Sequence, residues 1–374
     1  MLAFFATLYS TPAFFSTQKM IQKNNEPFVY AAYSAGYTMK DESYVEKMDY
    51  SKFNFYYLMC YPKWVVSDFD NSLKDIITKY VTEFNYPNSL SGCGLSTAFI
   101  DSVHVAGAKV LLSIQGDSFI EIANDEERRN KFAIMIAQFI RKYDYDGFDL
   151  DWEGTLDLDL HYLFIKKVRQ ELNRDTKKNY YLTTALPSSK QYSQELADSL
   201  SQEIDWINLM TYDMGGGVWD PYATYNTPMG RIERNLKKWD VFDRSKLCIG
   251  LASYGFYYEN LQPEERIPLN KKMSDYGCYI SYNSFRDSIN QGGWIEQWND
   301  SQKVPYFFSS NGKNFITIDI PRSINYKMSW VENNGYRGVF WWELYHDFQI
   351  ENPSDRFGKF LLKDSVQISP FLIK

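Results

Sequence analysis

Short runs of apolar residues, rich in β-branched and aromatic side chains, alternate along the chain with segments of helical periodicity. Eight such runs are found at Phe28–Tyr33, Phe53–Cys60, Lys109–Ile114, Gly147–Trp152, Tyr180–Ala185, Trp206–Thr211, Leu247–Ser253 and Gly338–Trp342. Between them, segments such as Lys131–Arg141 and Leu160–Leu172 carry apolar residues three and four positions apart, as an amphipathic helix does. Buried strands that alternate with helices are typical of a parallel sheet covered by helices. The pattern therefore predicts an α/β fold, a (β/α)8 TIM barrel.

The interval between the seventh and eighth runs is too long for one crossover helix, at about 80 residues. It is rich in turn-forming and aromatic residues, so we expect a small α+β insertion on the substrate rim over 256–303. The barrel would then comprise 27–255 and 304–360. We expect residues 1–26 to be a leader, and its apolar part, Met1–Ser16, is a candidate signal peptide, although no basic residue precedes Lys19. A disordered leader or a misassigned start is the alternative.

Composition narrows the classes of partner. The net charge is −7 and the sequence pI is about 5.2, which argues against nucleic acid or an anionic membrane as the main partner. No later run is long enough for a membrane helix. With three histidines and four cysteines without metal-ligand spacing, we expect neither a metal nor a cofactor. The aromatic share of 18% fits either an aromatic core or a groove that stacks on flat ligands.

The most informative segment is YDYDGFDLDWEG at Tyr143–Gly154. Asp149, Asp151 and Glu153 are two positions apart, so on a strand they point to one face, about 6.5–7 Å from one another. We call these three residues the acid column. Like charges in a confined site cannot all ionise cheaply, so at least one acid should hold a proton near neutral pH. Glu153, nearest the barrel mouth, is the expected general acid. A solvated acidic turn or a Mg²⁺ site fits less well, because the acids alternate with Phe, Leu and Trp.

Here the sequence resembles a known family. DGFDLDWE, which begins at Asp146, resembles the DxxDxDxE signature of family 18 glycoside hydrolases, the chitinase-like TIM barrels. MTYD at Met210–Asp213 is similar to the family's MxYD segment, and YNTPM at Tyr225–Met229 is similar to its HNAPL-like stretch. GVFWWELYHDF from Gly338 resembles its eighth-strand segment. The resemblance runs from about Phe28 to Phe348.

The resemblance implies roles for individual residues. Glu153 would be the general acid and base, and Asp151 would hold the substrate's acetamido group while Asp149 tunes it. Tyr212 would donate its hydroxyl to the acetamide oxygen, which completes the expected catalytic set. The expected substrate-binding residues are Asp146, Met210, Asp213, Trp219 and Trp342. Of these, Trp342 would form the floor under the sugar and Trp219 would stack on another.

The resulting hypothesis is a chitinase that hydrolyses β-1,4 bonds between N-acetylglucosamine units with retention of configuration. Its partner would be chitin or an N-acetylglucosamine-containing oligosaccharide, and the protein is expected to be a secreted or exported monomer. The alternatives are an endo-β-N-acetylglucosaminidase acting on N-glycans or peptidoglycan and a non-catalytic chitin-binding lectin. One departure stands out: where the family has SxGG, this chain has Ser113-Ile114-Gln115-Gly116. A glutamine there either crowds the site or adds a polar contact.

Overall fold

A computed structural model describes residues 27–82, 95–116, 118–219, 221–261, 272–273 and 276–347. Seven consecutive parallel strands and a later eighth one close into a barrel. They are β1 Val29–Ala35, β2 Phe55–Cys60, β3 Lys109–Gln115, β4 Gly147–Asp151, β5 Tyr181–Pro187, β6 Trp206–Met210, β7 Leu247–Ala252 and β13 Gly338–Trp342. The order around the barrel is β1-β13-β7-β6-β5-β4-β3-β2, which confirms the predicted (β/α)8 fold.

Helices surround the barrel, and one further helix lies within the insertion. They are α1 Glu42–Lys47, α2 Leu73–Ile77, α3 Thr97–Val105, α4 Phe119–Asn124, α5 Glu126–Lys142, α6 Leu158–Leu172, α7 Gln194–Glu203, α8 Met229–Leu236, α9 Tyr282–Asn290 and α10 Pro321–Asn333. Asp125 caps the N-terminus of the longest of these helices, α5, and its side chain accepts a hydrogen bond from the backbone N–H of Arg128. No helix within the described part of the chain is long and apolar enough to cross a membrane.

The side chains of β4 alternate between the helix-facing side and the lumen-facing side of the barrel. Phe148 and Leu150 point outward into the large apolar core shared with the helices. Asp149 and Asp151, which alternate with them, point into the lumen. Burial of the apolar side chains of Phe148 and Leu150 stabilises the strand. This gain offsets the free-energy cost of burying two carboxylates on the opposite face.

A second sheet occupies the chain between β7 and β13. Its strands are β8 Tyr254–Tyr258, β9 Cys278–Ser281, β10 Trp294–Asn299, β11 Val304–Ser309 and β12 Phe315–Thr317, in the antiparallel order β10-β11-β12-β8-β9. Together with α9 it forms the predicted α+β insertion. The sheet is longer than the expected 256–303, however, because β8 begins at Tyr254 and β11 and β12 lie beyond residue 303, in the part assigned to the barrel. The leader at 1–26 lies outside the described residues, as does 348–360 of the expected barrel.

Candidate active site

The acid column lies where β4 ends and the chain turns toward α6. Strand β4 pairs with β3 on one side and β5 on the other, so that Ser113 and Thr183 both flank Asp149. In the same register Gln115 lies opposite Asp151. The carboxyl ends of barrel strands are where sites form in this fold, and Glu153 lies just beyond the end of β4.

Asp149 is the deepest acid and is held by neutral hydrogen-bond donors. Its side chain accepts hydrogen bonds from Tyr33 Oη at 2.9 Å, Ser113 Oγ at 2.7 Å, Thr183 Oγ1 at 2.5 Å and Asn208 Nδ2 at 3.4 Å. Burial raises the pKa of Asp149, while these hydrogen bonds act in the opposite direction. Because both oxygens already accept hydrogen bonds, Asp149 is poorly placed to act as a nucleophile.

Asp151 is buried like Asp149 but has a different environment. Its Oδ1 atom is shielded from solvent and has no hydrogen-bond partner among the described residues. Burial raises the pKa of Asp151 well above its ordinary value, and the negative charges of Glu153 and Asp149 raise it further. In the free protein Asp151 is therefore the member of the column with the strongest tendency to hold a proton.

Glu153 is the outermost acid and is accessible to solvent. Its Oε1 atom accepts a hydrogen bond of 2.6 Å from the side-chain amide of Gln115. Desolvation by the surrounding protein raises the pKa of Glu153, the Gln115 hydrogen bond lowers it, and the charge of Asp213 raises it again. The departure at Gln115 thus adds a polar contact to the acid itself.

Tyr212 follows β6 and packs between the barrel lumen and the insertion. Burial raises its pKa well above the ordinary value, and the charges of the nearby acids raise it further, Asp151 most of all. Its hydroxyl therefore remains a hydrogen-bond donor throughout the neutral range. Gly250 on β7 makes room for the ring, because a Cβ there would lie 2.8 Å from a Tyr212 ring carbon.

Asp213 is held on two sides. Its side chain accepts a hydrogen bond of 2.8 Å from Tyr254 Oη, and its backbone N–H donates to Asn226 Oδ1 at 2.7 Å. The residue has a φ of 53°, in the left-handed region that aspartate tolerates better than most residues. Burial raises its pKa, against the hydrogen bonds from Tyr254 and Trp219. Asp213 is thus fixed beside Glu153 and adds negative charge to the mouth.

Three further predicted residues line the same end of the barrel. Trp342, the last residue of β13, packs against Tyr33 with ring centroids 5.6 Å apart. Met210, the last residue of β6, is half-buried against the lumen cluster that contains both rings. Trp219 is 63% exposed and lies close enough to Asp213 to form a hydrogen bond. An exposed indole at the rim offers a flat apolar surface to a sugar ring.

Asp146 is not brought together with these residues, and its predicted role in substrate binding is corrected. It precedes β4 at the amino-terminal end of the barrel, about 20 Å along the strand from the mouth. Its carboxylate is buried and contacts His104 Nε2 at 2.8 Å, Lys109 Nζ at 3.2 Å, Lys178 Nζ at 3.4 Å and the backbone N–H of Val110 at 3.0 Å. These contacts tie β3, β4 and α3 together, which is a structural role.

The sequence analysis did not assign the donors that hold Asp149. Tyr33, Thr183 and Asn208 lie on β1, β5 and β6, and Asn208 also donates to Tyr33 Oη at 2.8 Å. The available signal was a side chain able to form hydrogen bonds at a lumen-facing position of a largely apolar strand. No group of three or more His, Cys, Asp or Glu residues in the described ranges is arranged to hold a metal ion.

A closed parallel barrel with carboxylic acids rising to its carboxyl-terminal mouth, beside a tyrosine and an exposed tryptophan, defines a glycoside hydrolase type of site. Residues 35–347 match the sequence profile of the family described as Glycosyl hydrolases family 18. The chain belongs to this family.

Named relatives agree with this assignment at modest identity. Chitinase A1 of Niallia circulans is 28% identical over 286 residues, which cover 64% of this chain and 40% of that protein. The endochitinase of Manduca sexta is 26% identical over 261 residues, covering 59% and 46%. The alignments thus span less than half the length of these two relatives.

Solved structures share the fold. A family 18 chitinase from Cycas revoluta in complex with (GlcNAc)3 superposes with a TM-score of 0.69, at 17% identity, covering 87% of this chain and 97% of that one. The Group IV chitinase of Ostrinia furnacalis in complex with allosamidin gives a TM-score of 0.66 at 19% identity, covering 86% and 93%.

Proposed function

We propose that this protein is a chitinase that hydrolyses β-1,4 bonds between N-acetylglucosamine units with retention, with Glu153 as general acid and base. The observation that carries the proposal is the division of the acid column into three environments. Asp149 is held by hydrogen-bond donors, Asp151 is buried with one oxygen unpartnered, and Glu153 faces the mouth. Family membership and the chitinase names of the relatives support the choice of substrate.

In the first step Glu153 donates its proton to the glycosidic oxygen as the bond to the anomeric carbon breaks. The substrate's own acetamido oxygen attacks that carbon from the opposite face, which is the substrate-assisted variant of retaining hydrolysis. Neither Asp149, which is occupied by donors, nor Asp151, which is deeper than Glu153, needs to act as a nucleophile. A cyclic oxazolinium-like cation results.

The residues around this cation have complementary chemistry. The unpartnered oxygen of Asp151 can accept the acetamide N–H, and the hydroxyl of Tyr212 can donate to the acetamide oxygen. The negative charge nearby stabilises the developing positive charge. Trp342 provides an apolar floor close to Tyr33. In the second step a water attacks the anomeric carbon, Glu153 takes its proton, and the acetamido group is released.

The test is hydrolysis of chitin oligosaccharides followed by NMR of the newly formed reducing ends. We expect shorter oligomers that appear first as the β-anomer. Glu153→Gln should lower kcat by at least about 100-fold and retain binding, because the general acid contributes that much. Glu296→Gln, at an exposed position of β10, is the matched control and should keep full activity.

Three outcomes would contradict the proposal. Binding of the oligomers without cleavage would indicate a lectin. Cleavage of N-glycans or peptidoglycan with chitin oligomers left intact would indicate an endo-β-N-acetylglucosaminidase. Full activity of Glu153→Gln would refute the assigned mechanism. Export and a monomeric state are further parts of the proposal, which fractionation of the natural host and size-exclusion chromatography with light scattering would test.

A further inference from the structure

Gln115 is the last residue of β3 and stands beside the acid column. Two polar side chains of β3 face β4 on the lumen side, Ser113 and Gln115, in register with Asp149 and Asp151. Ser113 donates to Asp149 at 2.7 Å, whereas the longer Gln115 reaches past Asp151 and donates to Glu153 at 2.6 Å. One strand therefore supplies a donor to the deepest acid and another donor to the outermost acid.

We propose that Gln115 is a positioning residue that decides which oxygen of Glu153 carries the catalytic proton. This inference rests on the proposed role of Glu153. The Gln115 amide N–H donates to Oε1 of Glu153, so this oxygen must present a lone pair rather than a proton. The proton of the neutral acid is then on Oε2, which delivers it to the glycosidic oxygen and later takes one from water.

The same contact affects the ionisation of the acid. Glu153 is faced by Asp151 from its own segment, by Asp213 and Tyr212 after β6, and by Tyr279 from β9. Burial and the charge of Asp213 raise the pKa of Glu153, whereas the Gln115 hydrogen bond lowers it by stabilising the carboxylate. Gln115 thus opposes the environment that keeps the acid protonated, which favours the return of Glu153 to its ionised form during the second step.

The direction of the hydrogen bond makes the proposal testable. Activity falls at alkaline pH when the free enzyme loses the proton of its acid, so the alkaline limb of kcat/KM reports the pair formed by Glu153 and Asp151. Gln115→Met keeps the length of the side chain and removes the donor. We expect the limb to move to higher pH by about one unit, the size of one hydrogen bond to a charged group. Maximal kcat should fall about tenfold, because the acid loses its fixed orientation.

Two other variants sharpen the test. Gln115→Glu replaces the donor with a further negative charge and should move the limb further in the same direction. Gln297→Met makes the identical change at an exposed position of β10 and should leave the profile unchanged. A limb that moves to lower pH in Gln115→Met would refute the proposal, since it would mean that the amide oxygen accepts the proton of Glu153. An unmoved limb would refute it as well.

A measurement on the free protein separates this proposal from the proposed function. The Glu153 carboxyl signal can be followed by ¹³C NMR during a pH titration, with Glu153→Gln to assign it. Its midpoint should rise in Gln115→Met relative to the unsubstituted protein and to Gln297→Met. If the protein fails to cleave chitin oligomers but this rise is found, the proposed function is refuted, whereas the proposed hydrogen bond from Gln115 to Glu153 is supported. If it cleaves them and the midpoint does not rise, the role of Gln115 is refuted.

Discussion

Replacing Asp151 with Asn should raise the free energy of unfolding near neutral pH while it removes activity. The side chain is buried beside two other acids, and one of its oxygens has no hydrogen-bond partner in the described structure. An amide of the same shape carries no charge and needs no proton to remain neutral. The substitution therefore relieves an electrostatic cost that the folded state bears for the sake of the site.

The magnitude follows from the strand geometry. Asp149 and Asp151 are two residues apart on β4, which corresponds to about 6.6 Å at the usual rise of a strand. Two unit charges at that distance would repel each other by about 2.5 kcal/mol at an effective dielectric constant of about 20. The folded state avoids this repulsion only by keeping a proton on Asp151 above the ordinary pKa of aspartate, which carries a comparable cost near neutral pH. We therefore expect Asp151→Asn to stabilise the protein by about 2–3 kcal/mol at pH 7–8.

The stabilisation by Asp151→Asn should increase as pH rises. The pKa of Asp151 is raised well above its unfolded value, so the folded state binds its proton more tightly than the unfolded state does. This contribution to stability is fully present below the ordinary pKa of aspartate and is lost as pH rises through the raised folded value. The difference in the free energy of unfolding between Asp151→Asn and the unsubstituted protein should therefore be small near pH 4 and increase toward neutral pH.

Asp149→Asn is the matched control, because the same change on the same strand face should have the opposite effect. Asp149 accepts hydrogen bonds from the hydroxyls of Tyr33 and Ser113 at Oδ2 and of Thr183 at Oδ1. The amide nitrogen that replaces one oxygen cannot accept the hydrogen bonds made to that oxygen. The loss should destabilise the protein by about 2 kcal/mol, the size of one hydrogen bond to a charged group.

Urea unfolding followed by tryptophan fluorescence at pH 4, 6 and 8 provides the assay. Stabilisation by Asp151→Asn that increases with pH, together with destabilisation by Asp149→Asn, is the expected pair of results. If Asp151→Asn destabilises the protein at pH 8, or if the two variants change stability in the same direction, the assignment of different environments to the two acids is refuted.

Two further substitutions test a close contact at Tyr212 and a buried ion pair. Gly250→Ala would place a methyl group 2.8 Å from ring atoms of both Tyr212 and Phe340. We therefore expect kcat/KM to fall about 10- to 100-fold, with a smaller relative loss of stability. Unchanged kinetics would contradict the assigned role of Tyr212. Lys327→Met would leave Asp319, which it contacts at 2.5 Å, buried without its cation, and should lower the free energy of unfolding by about 3–5 kcal/mol. The double variant Lys327→Met with Asp319→Leu should recover part of that loss in urea unfolding, and no recovery would refute the pairing.

The barrel and the acid column could be predicted from the sequence because both are written in local periodicity. Alternation with a period of two assigns Phe148 and Leu150 to one face of β4 and Asp149 and Asp151 to the other, without knowledge of any neighbouring strand. The insertion was predicted from the length of one interval. Its exact extent was not, because β11 and β12 follow β10 as ordinary strands and nothing in their sequence states which sheet they join.

The surroundings of the acids could not be predicted in the same way. The donors to Asp149 come from four strands, and Tyr33 is 116 residues away from it in sequence. Only closure of the barrel brings them together. Asp146 shows the converse limit: it belongs to the signature by spacing, but it is at the opposite end of the strand, where it binds His104 and Lys109. A motif fixes the order of residues and not the end of the barrel at which each acts.

The three carboxylic acids of the column are chemically almost identical, so their different duties must come from their neighbours. Neutral donors surround Asp149 and oppose the effect of its burial. Burial and the charges of Glu153 and Asp149 leave Asp151 to hold a proton, and a single amide from Gln115 reaches Glu153. It follows that the pH dependence of this site should be more sensitive to its neutral residues than to its distant charges. A family member with glycine in place of Gln115 would have the same three acids but would lose activity at a different alkaline pH. The DxxDxDxE signature alone could not predict this difference.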